Sequence, residues 1–252
     1  MISRKSAKEL DKMRRAGRAL AEVHTELAKA VAPGVRIKDL DELADRLIRD
    51  RGGVPSFLGY RGYPGRICAS VNEVIVHGIP DERVLEEGDI LSIDVGLTVD
   101  GWHADSAVTH GVGEITDQAR RLLDVTQRSL EAGIGQCRAG GRLSDISHAI
   151  ESLVVGEGFS VVREFVGHGI GRALHEDPQV PNFGPPGEGP VLQPGMVLAI
   201  EPMVNIGGWK TKTLSDGWTV VTLDGSLSAH FEHTVAVTDN GPEVLTARRN
   251  GG

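Results

Sequence analysis

The sequence predicts an α+β protein, in which helices and strands occur in separate blocks along the chain. Helical periodicity over residues 117–137 and 144–156 follows strand-like runs at 67–76 and 89–109. From residue 159 onward the pattern is mostly β, with long loops rich in glycine and proline. A second observation, an internal duplication of short motifs, predicts that the protein consists of two related halves.

The duplication involves four motifs that recur in the same order. They are Gly34–Leu40 with Gly140–Ile146, His77–Ile79 with His168–Ile170, Val84–Asp94 with Val191–Glu201, and His103–Asp105 with His230–Glu232. One match could arise by chance, but four in register indicate two αβ halves, about 34–110 and 140–240, related by a pseudo-two-fold axis. Because repeats of this kind share a core, we expect a single domain over residues 1–252, with a site between the halves.

Composition excludes several classes of protein. The formal net charge of −8 argues against the phosphate backbone of nucleic acids as the main ligand. Only two cysteines occur, Cys68 and Cys137, so a disulfide-stapled secreted domain is not expected. The charged N-terminus lacks the apolar core of a signal peptide, and no apolar run reaches the roughly 18–20 residues that span a bilayer. We therefore expect a cytoplasmic protein with no membrane association and no direct nucleic-acid function.

Five side chains of the types that bind metal ions interrupt apolar, strand-like stretches. They are Asp94, Asp105, His168, Glu201 and Glu232. Carboxylates are rarely buried without a partner. Two divalent cations would balance the four negative charges, and a neutral imidazole would complete the ligand set. The sequence therefore predicts a dinuclear metal site and, with it, a hydrolase.

The turn pattern predicts how these carboxylates meet. Asp94 and Asp105 flank a turn signal at 97–101, and a hairpin that pivots midway between them would place the two carboxylates directly opposite each other. Glu201 and Glu232 hold the equivalent positions in the second half. Taken singly, each could cap a turn or face solvent, and the duplication is what favours a shared site.

Three histidines complete the predicted site. His168 lies in a glycine-rich segment that lacks the spacing of a phosphate-binding loop, and the chain has no cysteine cluster of a zinc finger. Its imidazole would supply a neutral nitrogen ligand. His77 and His175 lie near ligands in sequence, and we expect one to bind the scissile amide and the other to stabilise an oxyanion. From spacing alone, a structural role for these two histidines is equally open.

Longer motifs surround these residues. They are Tyr60–Pro64, Val71–Pro80, Gly167–Arg172 followed by His175–Pro178, Ile200–Asn205, Asp216–Trp218 and Phe231–Thr234. With these motifs the chain, from about residue 5 to residue 245, resembles the type I methionine aminopeptidases of the pita-bread metallopeptidase superfamily. The resemblance implies a curved antiparallel sheet backed by helices. It also implies a single catalytic domain that removes the initiator methionine from nascent proteins whose second residue is small.

The resemblance assigns roles to the metal-ligand residues. Asp94 would bind one of two divalent ions, while His168 and Glu201 bind the other. Asp105 and Glu232 would bridge the two ions. A bridging water or hydroxide would attack the scissile carbonyl, with Glu201 as the proton shuttle. The sequence does not select among Co, Mn, Fe and Zn.

The resemblance also implies a methionine pocket, in which His77 and His175 contact the substrate. Its walls would be formed by Tyr60, Tyr63, Cys68, His77 and Trp218. Two residues at its border depart from the family pattern. They bear on the affinity of the pocket for methionine but not on the five metal ligands. Phe57 stands where many bacterial relatives have a small thiol-bearing residue, and Leu174 stands where an aromatic residue is common.

Further implications concern ions and partners. Asn72, Val74 and Ser228 match positions that hold a monovalent cation in relatives. The implied partners are the N-termini of nascent polypeptides and, transiently, the ribosome. We expect the protein to act as a monomer.

Two alternative functions stay open. An Xaa-Pro-type peptidase would share the five ligands but carry a large N-terminal domain, for which the early position of Asp94 leaves no room. A non-enzymatic pita-bread binding protein would typically lose ligands, whereas all five are present here. A type II methionine aminopeptidase would need a long insertion between Glu201 and Glu232, and residues 202–231 leave no space for it.

Overall fold

The computed structural model describes residues 2–248, which form helices and antiparallel sheets as the α+β prediction requires. The helices are α1 (Ala7–Ala30), α2 (Ile37–Asp50), α3 (Asp117–Gln136) and α4 (Leu143–Gly156). The strands are β1 (Val54–Pro55), β2 (Cys68–Val71), β3 (Val74–Val76), β4 (Ile90–Val99), β5 (Trp102–Gly111), β6 (Ser160–Val161), β7 (Gly167–Gly169), β8 (Glu176–Val180), β9 (Val197–Ile200), β10 (Met203–Asn205), β11 (Thr211–Thr213), β12 (Val220–Thr222), β13 (Ser228–His230), β14 (His233–Thr238) and β15 (Gly241–Val244).

Each half of the chain contributes one larger group of strands. In the first half, β4 lies between β1 and β2 and also pairs with β5. In the second half, the order is β15-β14-β9-β7-β8. Two three-stranded groups, β13-β10-β6 and β11-β12-β3, complete the described sheets, and the last of these combines strands from both halves.

The helices cover the sheets through their apolar faces. Leu20 and Leu27 of α1 are fully buried and pack with α2 against the odd-numbered side chains of β4, such as Ile93. The helices α3 and α4 form a second apolar cluster with β9 and β14. Burial of one such side chain contributes roughly 1.5–3 kcal/mol. Because side chains alternate along a strand, the even-numbered side chains of β4, including that of Asp94, face away from the helices.

The duplicated motifs make the same backbone contacts in both halves. The loop that enters α2 pairs with the segment leading into β4, and the loop that enters α4 pairs in the same way with the segment leading into β9. The matching N–H···O bonds are Gly34 to Leu85 (2.8 Å) and Gly140 to Leu192 (2.9 Å), and the matching bridges are Arg36 with Val84 and Arg142 with Val191. These partners are the equivalents that the sequence motifs predict.

The two halves are joined along β5 and residues 230–234. The Glu232 amide donates to the Ala107 carbonyl at 3.0 Å. The Thr234 hydroxyl accepts from the Asp105 amide at 3.0 Å and donates to the Asp105 carbonyl at 2.8 Å. We call this set of contacts the central seam. It places a carboxylate of the first half beside a carboxylate of the second.

The structure corrects the predicted register of the first hairpin. Asp94 pairs with Ala107, and Asp105 pairs with Gly96, so the two aspartates are diagonal neighbours rather than directly opposed. The turn lies at residues 100–101, one position later than predicted, because both of its residues take the positive φ of a tight two-residue hairpin turn. The offset between the aspartates is an even number of residues, and their side chains therefore still share one face.

The predicted strand at 67–76 is two strands. Asn72 interrupts it with a φ of 55°, and the chain changes partners there. The first piece, β2, pairs with β4, whereas the second piece, β3, pairs with β12 of the other half. Periodicity could not reveal this break because both pieces are apolar.

Within residues 2–248, no helix combines the length and the apolarity needed to cross a bilayer.

A glycine in α1 provides a test of the packing between the chain's two ends. A Cβ at Gly17 would collide with the Leu245 carbonyl, so Gly17→Ala should lower the free energy of unfolding by about 1–3 kcal/mol despite the better helix propensity of alanine. The measurement is urea denaturation followed by circular dichroism.

Gly135 of α3 is the matched control, since a Cβ there would meet no atom within 4 Å. Gly135→Ala should leave stability unchanged or raise it by up to about 1 kcal/mol. Equal stability of the Gly17→Ala protein and the wild type would contradict the packing described.

Candidate active site

The residues that the sequence singled out line one cavity of about 150 Å³. Its lining comprises Phe57, Tyr60, Arg61, Tyr63, Cys68, His77, Asp94, Asp105, His168, Leu174, His175, Glu201, Trp218 and Glu232. The five predicted metal ligands and the predicted substrate-contacting residues are all among them. Both halves of the chain contribute, as the duplication predicted.

The strand ends and the central seam bring the acidic groups together. Asp94 lies on β4 and Asp105 on β5. Glu201 directly follows β9 and Glu232 directly precedes β14, next to the paired residues Ile200 and His233 of those strands. The proline after Glu201 has no amide hydrogen to continue the ladder, which turns the chain out of the strand at this point.

His168 on β7 faces this acidic group. Its Nε2 lies 3.6 Å from Glu201 Oε1 and 4.0 Å from Asp105 Oδ2. One ligand atom each from Asp105, His168 and Glu232 fall within 4.8 Å of one another. The other ring nitrogen, Nδ1, is 2.8 Å from the Gly169 carbonyl, which can only accept a hydrogen bond. Nδ1 therefore carries the proton, and Nε2 presents its lone pair to the carboxylates.

The acidic groups are buried with too few hydrogen-bond donors. Asp105 and Glu232 are 4% and 2% exposed, and one oxygen each of Asp94, Asp105 and Glu232 has no hydrogen-bond partner in the described structure. Burial is the main cause that raises the pKa of Asp94 and of Glu201 to about 7. Burial and the neighbouring carboxylates raise the pKa values of Asp105 and Glu232 well above their ordinary range. The cluster therefore offers more carboxylate oxygens than the surrounding hydrogen-bond donors satisfy, together with the lone pair of one imidazole. Such a set of ligand atoms suits divalent metal ions.

His175 lies above His168 on one wall of the cavity. The two ring centroids are 4.2 Å apart, and His175 stacks on Tyr60, whose hydroxyl is 2.9 Å from Nδ1. Burial, with a contribution from the charge of Arg61, lowers the pKa of His175 to about 4. The imidazole is therefore neutral near pH 7 and can donate or accept a hydrogen bond.

His77 belongs to another wall of the same cavity. Its ring packs edge-on against Phe165 and Trp218, with centroid distances of 5.5 and 6.2 Å. Burial lowers its pKa to about 4. The backbone of His77 has a φ of 59°, which is uncommon for a residue other than glycine and is maintained by the surrounding structure.

Aromatic residues form the remaining walls. The Tyr63 hydroxyl donates to the Gly78 carbonyl at 2.8 Å, and its ring meets Trp218 edge-on at 5.1 Å. Phe57 is 7% exposed and packs its ring onto Gly96, where a Cβ would approach the ring to 2.6 Å. The glycine opposite Asp105 in the ladder thus makes room for the aromatic residue that departs from the family pattern.

The residues predicted to hold a monovalent cation lie together outside the cavity. The Ser228 amide donates to the Asn72 carbonyl at 2.9 Å, and Val74 begins the neighbouring strand β3. The Asn72 side chain is already engaged, since it donates to Asp89 and accepts from the Ile90 amide. Backbone carbonyls and the Ser228 hydroxyl remain as oxygen ligands, and the cation itself stays a prediction.

Two residues of the site were missed by sequence reasoning. Arg61 lines the cavity in a left-handed conformation; it lies within the motif Tyr60–Pro64, but nothing in that motif assigns a role to an exposed arginine. His230 is 2% exposed, with Nε2 3.6 Å from Glu201 Oε2. The duplication pairs it with His103, but the His103 ring contacts the Ser56 hydroxyl at 2.8 Å instead of an acidic residue of the site, and neither histidine is among the residues that line the cavity. The repeat could have drawn attention to His230 but not to this difference.

Comparison with known proteins agrees with the geometry. Residues 11–239 match the sequence model described as "Metallopeptidase family M24". Methionine aminopeptidase 1 of Bacillus subtilis (strain 168) is 56% identical over 246 residues, which cover 98% of this chain and 99% of that protein. Methionine aminopeptidase 1 of Mycobacterium tuberculosis is 51% identical over 253 residues, with coverages of 98% and 95%.

Solved structures give the same result. A crystal structure of methionine aminopeptidase from Thermotoga maritima superposes with a TM-score of 0.97 at 47% identity and covers 98% of this chain and 100% of that one. The Xaa-Pro dipeptidase from Bacillus anthracis has a TM-score of 0.79 at 21% identity, covering 98% of this chain and 63% of that one. This similarity shows only that the two proteins share the pita-bread fold. The chain therefore belongs to metallopeptidase family M24 and, within it, to the methionine aminopeptidases.

Proposed function

We propose that the cavity is a dinuclear metal centre that removes the initiator methionine from nascent proteins whose second residue is small. The observation that carries this proposal is the clustering of four carboxyl groups, two buried and two partly buried, beside one imidazole in an aromatic-walled cavity. Unpaired buried carboxylates are strongly unfavourable, and a pair of divalent cations would compensate them. The chemistry of the donors suits Co, Mn, Fe or Zn.

The proposed ligand arrangement is the one that the resemblance to the type I methionine aminopeptidases implies. Asp94 would hold one ion, and His168 with Glu201 would hold the other. Asp105 and Glu232, which meet at the central seam, would contribute ligands to both. The short separations among the ligand atoms of Asp105, His168 and Glu232 support a metal-binding role for these three side chains.

The reaction proposed is hydrolysis of the first peptide bond. When bound, the metal ions would supply a water of lowered pKa and would polarise the scissile carbonyl. Glu201 would take a proton from the attacking water at a carboxyl oxygen and pass it to the leaving amine. Neutral His175 and His77 would donate or accept hydrogen bonds at the scissile amide and at the tetrahedral intermediate.

Selectivity would come from the walls of the cavity. Tyr60, Tyr63, Cys68, Trp218 and Phe57 offer an apolar and polarisable surface to a methionine side chain. The cavity is small, about 150 Å³, and a bulky second residue would have to fit between the aromatic walls and the acidic floor. Peptides with a small second residue would reach the floor without this penalty.

The cellular setting follows from the substrate. The substrate would be the N-terminus of a nascent polypeptide, bound in the cytoplasm during transient contact with the ribosome. The two halves would act as a single catalytic domain in a monomeric protein. A monovalent cation at Asn72, Val74 and Ser228 would connect β2 and β3 to the second half.

A panel of four peptides tests the proposed specificity. Chelator-treated protein should release methionine from Met-Ala-Ser when Mn²⁺ or Co²⁺ is added, and should leave Met-Leu-Ser, Ala-Ala-Ser and Ala-Pro-Ser intact, as read by mass spectrometry. Asp105→Asn, purified in parallel, controls for contaminating peptidases. Cleavage of Ala-Pro-Ser would favour an Xaa-Pro-type peptidase, and no cleavage with any metal would favour a binding protein.

Removal of the metals should destabilise the fold in a pH-dependent way. The folded metal-free protein holds protons on Asp94 and Glu201 up to about pH 7, whereas the unfolded chain releases them near the ordinary carboxyl pKa. Between these values the folded state binds more protons, so its stability falls as the pH rises. Bound cations would take the place of the protons.

The difference in melting temperature between metal-loaded and chelated protein should therefore be larger at pH 8 than at pH 5.5. Thermal denaturation in matched buffers measures it, and the subtraction removes the pH response of groups elsewhere. The Asp105→Asn variant, which lacks the carboxylate at this position, should show a smaller difference in melting temperature between the metal-loaded and the chelated protein. Identical melting temperatures with and without metal at pH 8 would speak against the clustered site.

Phe57 should contribute to methionine binding. Phe57→Ala removes an aromatic part of the cavity wall, and loss of its proposed apolar contact with the methionine side chain, about 1.5–3 kcal/mol, should raise KM for Met-Ala-Ser roughly 10- to 100-fold with a smaller effect on kcat. Its neighbour Leu58 is 43% exposed, and Leu58→Ala serves as the control that leaves KM unchanged. An unaltered KM for Phe57→Ala would exclude the ring from the pocket wall.

A further inference from the structure

The segment at residues 3–5 is tied to the loop that carries His175. The Lys5 ammonium lies 2.9 Å from Glu176 Oε2, and the Ser3 hydroxyl donates to the same oxygen at 2.6 Å. The Lys5 side chain is only 4% exposed, and that of Glu176 is 18% exposed. A charged pair with so little solvent is sensitive to the loss of either partner, because the other is left uncompensated.

The second oxygen of Glu176 organises the loop itself. Oε1 accepts from the amides of Arg172 at 2.9 Å and Ala173 at 3.2 Å. Gly171, at the start of the loop, allows this arrangement, since a Cβ there would approach the Lys5 side chain to 2.6 Å and Glu176 Oε1 to 2.7 Å. One carboxylate thus joins the N-terminal segment to both ends of residues 171–176.

The same segment is fixed on its other side by the chain that leads into β9. The Lys5 amide donates to the Gly195 carbonyl at 2.7 Å, and a Cβ on Gly195 would meet the Lys5 carbonyl at 2.7 Å. Lys5 therefore lies between the turn before β9, the strand that Glu201 directly follows, and the loop that holds Leu174 and His175. Both of those loop residues line the cavity.

We propose that Lys5, acting through Glu176, is a positioning residue that sets the placement of His175 and Leu174 in the cavity. Lys5 is not among the residues that line the cavity. Its ammonium holds the Glu176 carboxylate in place, and this carboxylate accepts hydrogen bonds from the Arg172 and Ala173 amides. Residues 171–176 are thereby held in a single backbone conformation. The inference rests on the proposed role of His175 in substrate contact.

Kinetics of a double-mutant cycle distinguish positioning from a general effect on stability. Lys5→Met keeps the side-chain length and removes the charge, and it should lower kcat/KM for Met-Ala-Ser by 10-fold or more in metal-loaded protein. In a His175→Ala background the same change should cost less than 3-fold, because the residue it positions is absent. Equal losses in both backgrounds would overturn the proposal, since they would show that Lys5 acts independently of His175.

A second measurement, which does not depend on enzymatic activity, tests whether Lys5 orders the loop. Hydrogen exchange followed by mass spectrometry should show faster exchange in peptides that cover residues 171–176 of the Lys5→Met protein, with α3 unchanged. Unchanged exchange in this loop would overturn the proposal that the Lys5–Glu176 pair fixes residues 171–176, whatever the activity. If His175→Ala retains full activity, the proposed role of His175 fails, while the exchange result still decides whether Lys5 orders the loop.

Two variants guard against misfolding and charge effects. Lys8→Met makes the same chemical change on an exposed position of α1 and should match the wild type in activity and exchange. Glu176→Gln preserves the side-chain volume and leaves Lys5 in place, but it removes the carboxylate charge. It should reproduce both the kinetic and the exchange phenotype of Lys5→Met. Wild-type behaviour of folded Glu176→Gln protein would also contradict the proposal.

Discussion

The central seam between β5 and residues 230–234 is the contact on which the site depends. Each half alone holds two carboxylates, and the hydrogen bonds from Glu232 to Ala107 and between Thr234 and Asp105 join the halves directly beside these groups. In each of these bonds, one partner is a backbone amide or carbonyl of Glu232 or Asp105, both of which are candidate metal ligands. The positions of Asp105 and Glu232 are therefore set by main-chain geometry, which leaves their side chains free to bind.

The seam also concentrates negative charge where water is scarce. Clustering four acids with little access to water carries a large electrostatic penalty, and it raises the pKa values of Asp105 and Glu232 well above their ordinary range. The apolar clusters beneath α1 and α2 and beneath α3 and α4 lie on the outer sides of the sheets. We infer that these two cores stabilise the fold against the repulsion at its centre, and that cations convert the repulsion into attraction.

Much of this arrangement could be predicted from the sequence because its signals are local. The duplicated motifs predicted the equivalent contacts of Gly34 and Gly140. The chemistry of the five ligand types predicted the acidic group and His168, and the family resemblance predicted the aromatic walls. Features decided by tertiary structure were not predictable. The break at Asn72 depends on a change of strand partner, and the pairing of Lys5 with Glu176 joins residues 171 positions apart with no motif to mark it.

The two-residue turn after β4 has a consequence for how this hairpin can vary. Asp94 and Asp105 share a face because the pairing of β4 with β5 is shifted by an even number of positions from direct opposition. A turn longer or shorter by one residue, with β4 fixed, would reverse the parity of β5 and point Asp105 into the apolar core under α1. Length changes at residues 100–101 are thus compatible with the site only in steps of two, or when a bulge elsewhere in β5 restores the parity.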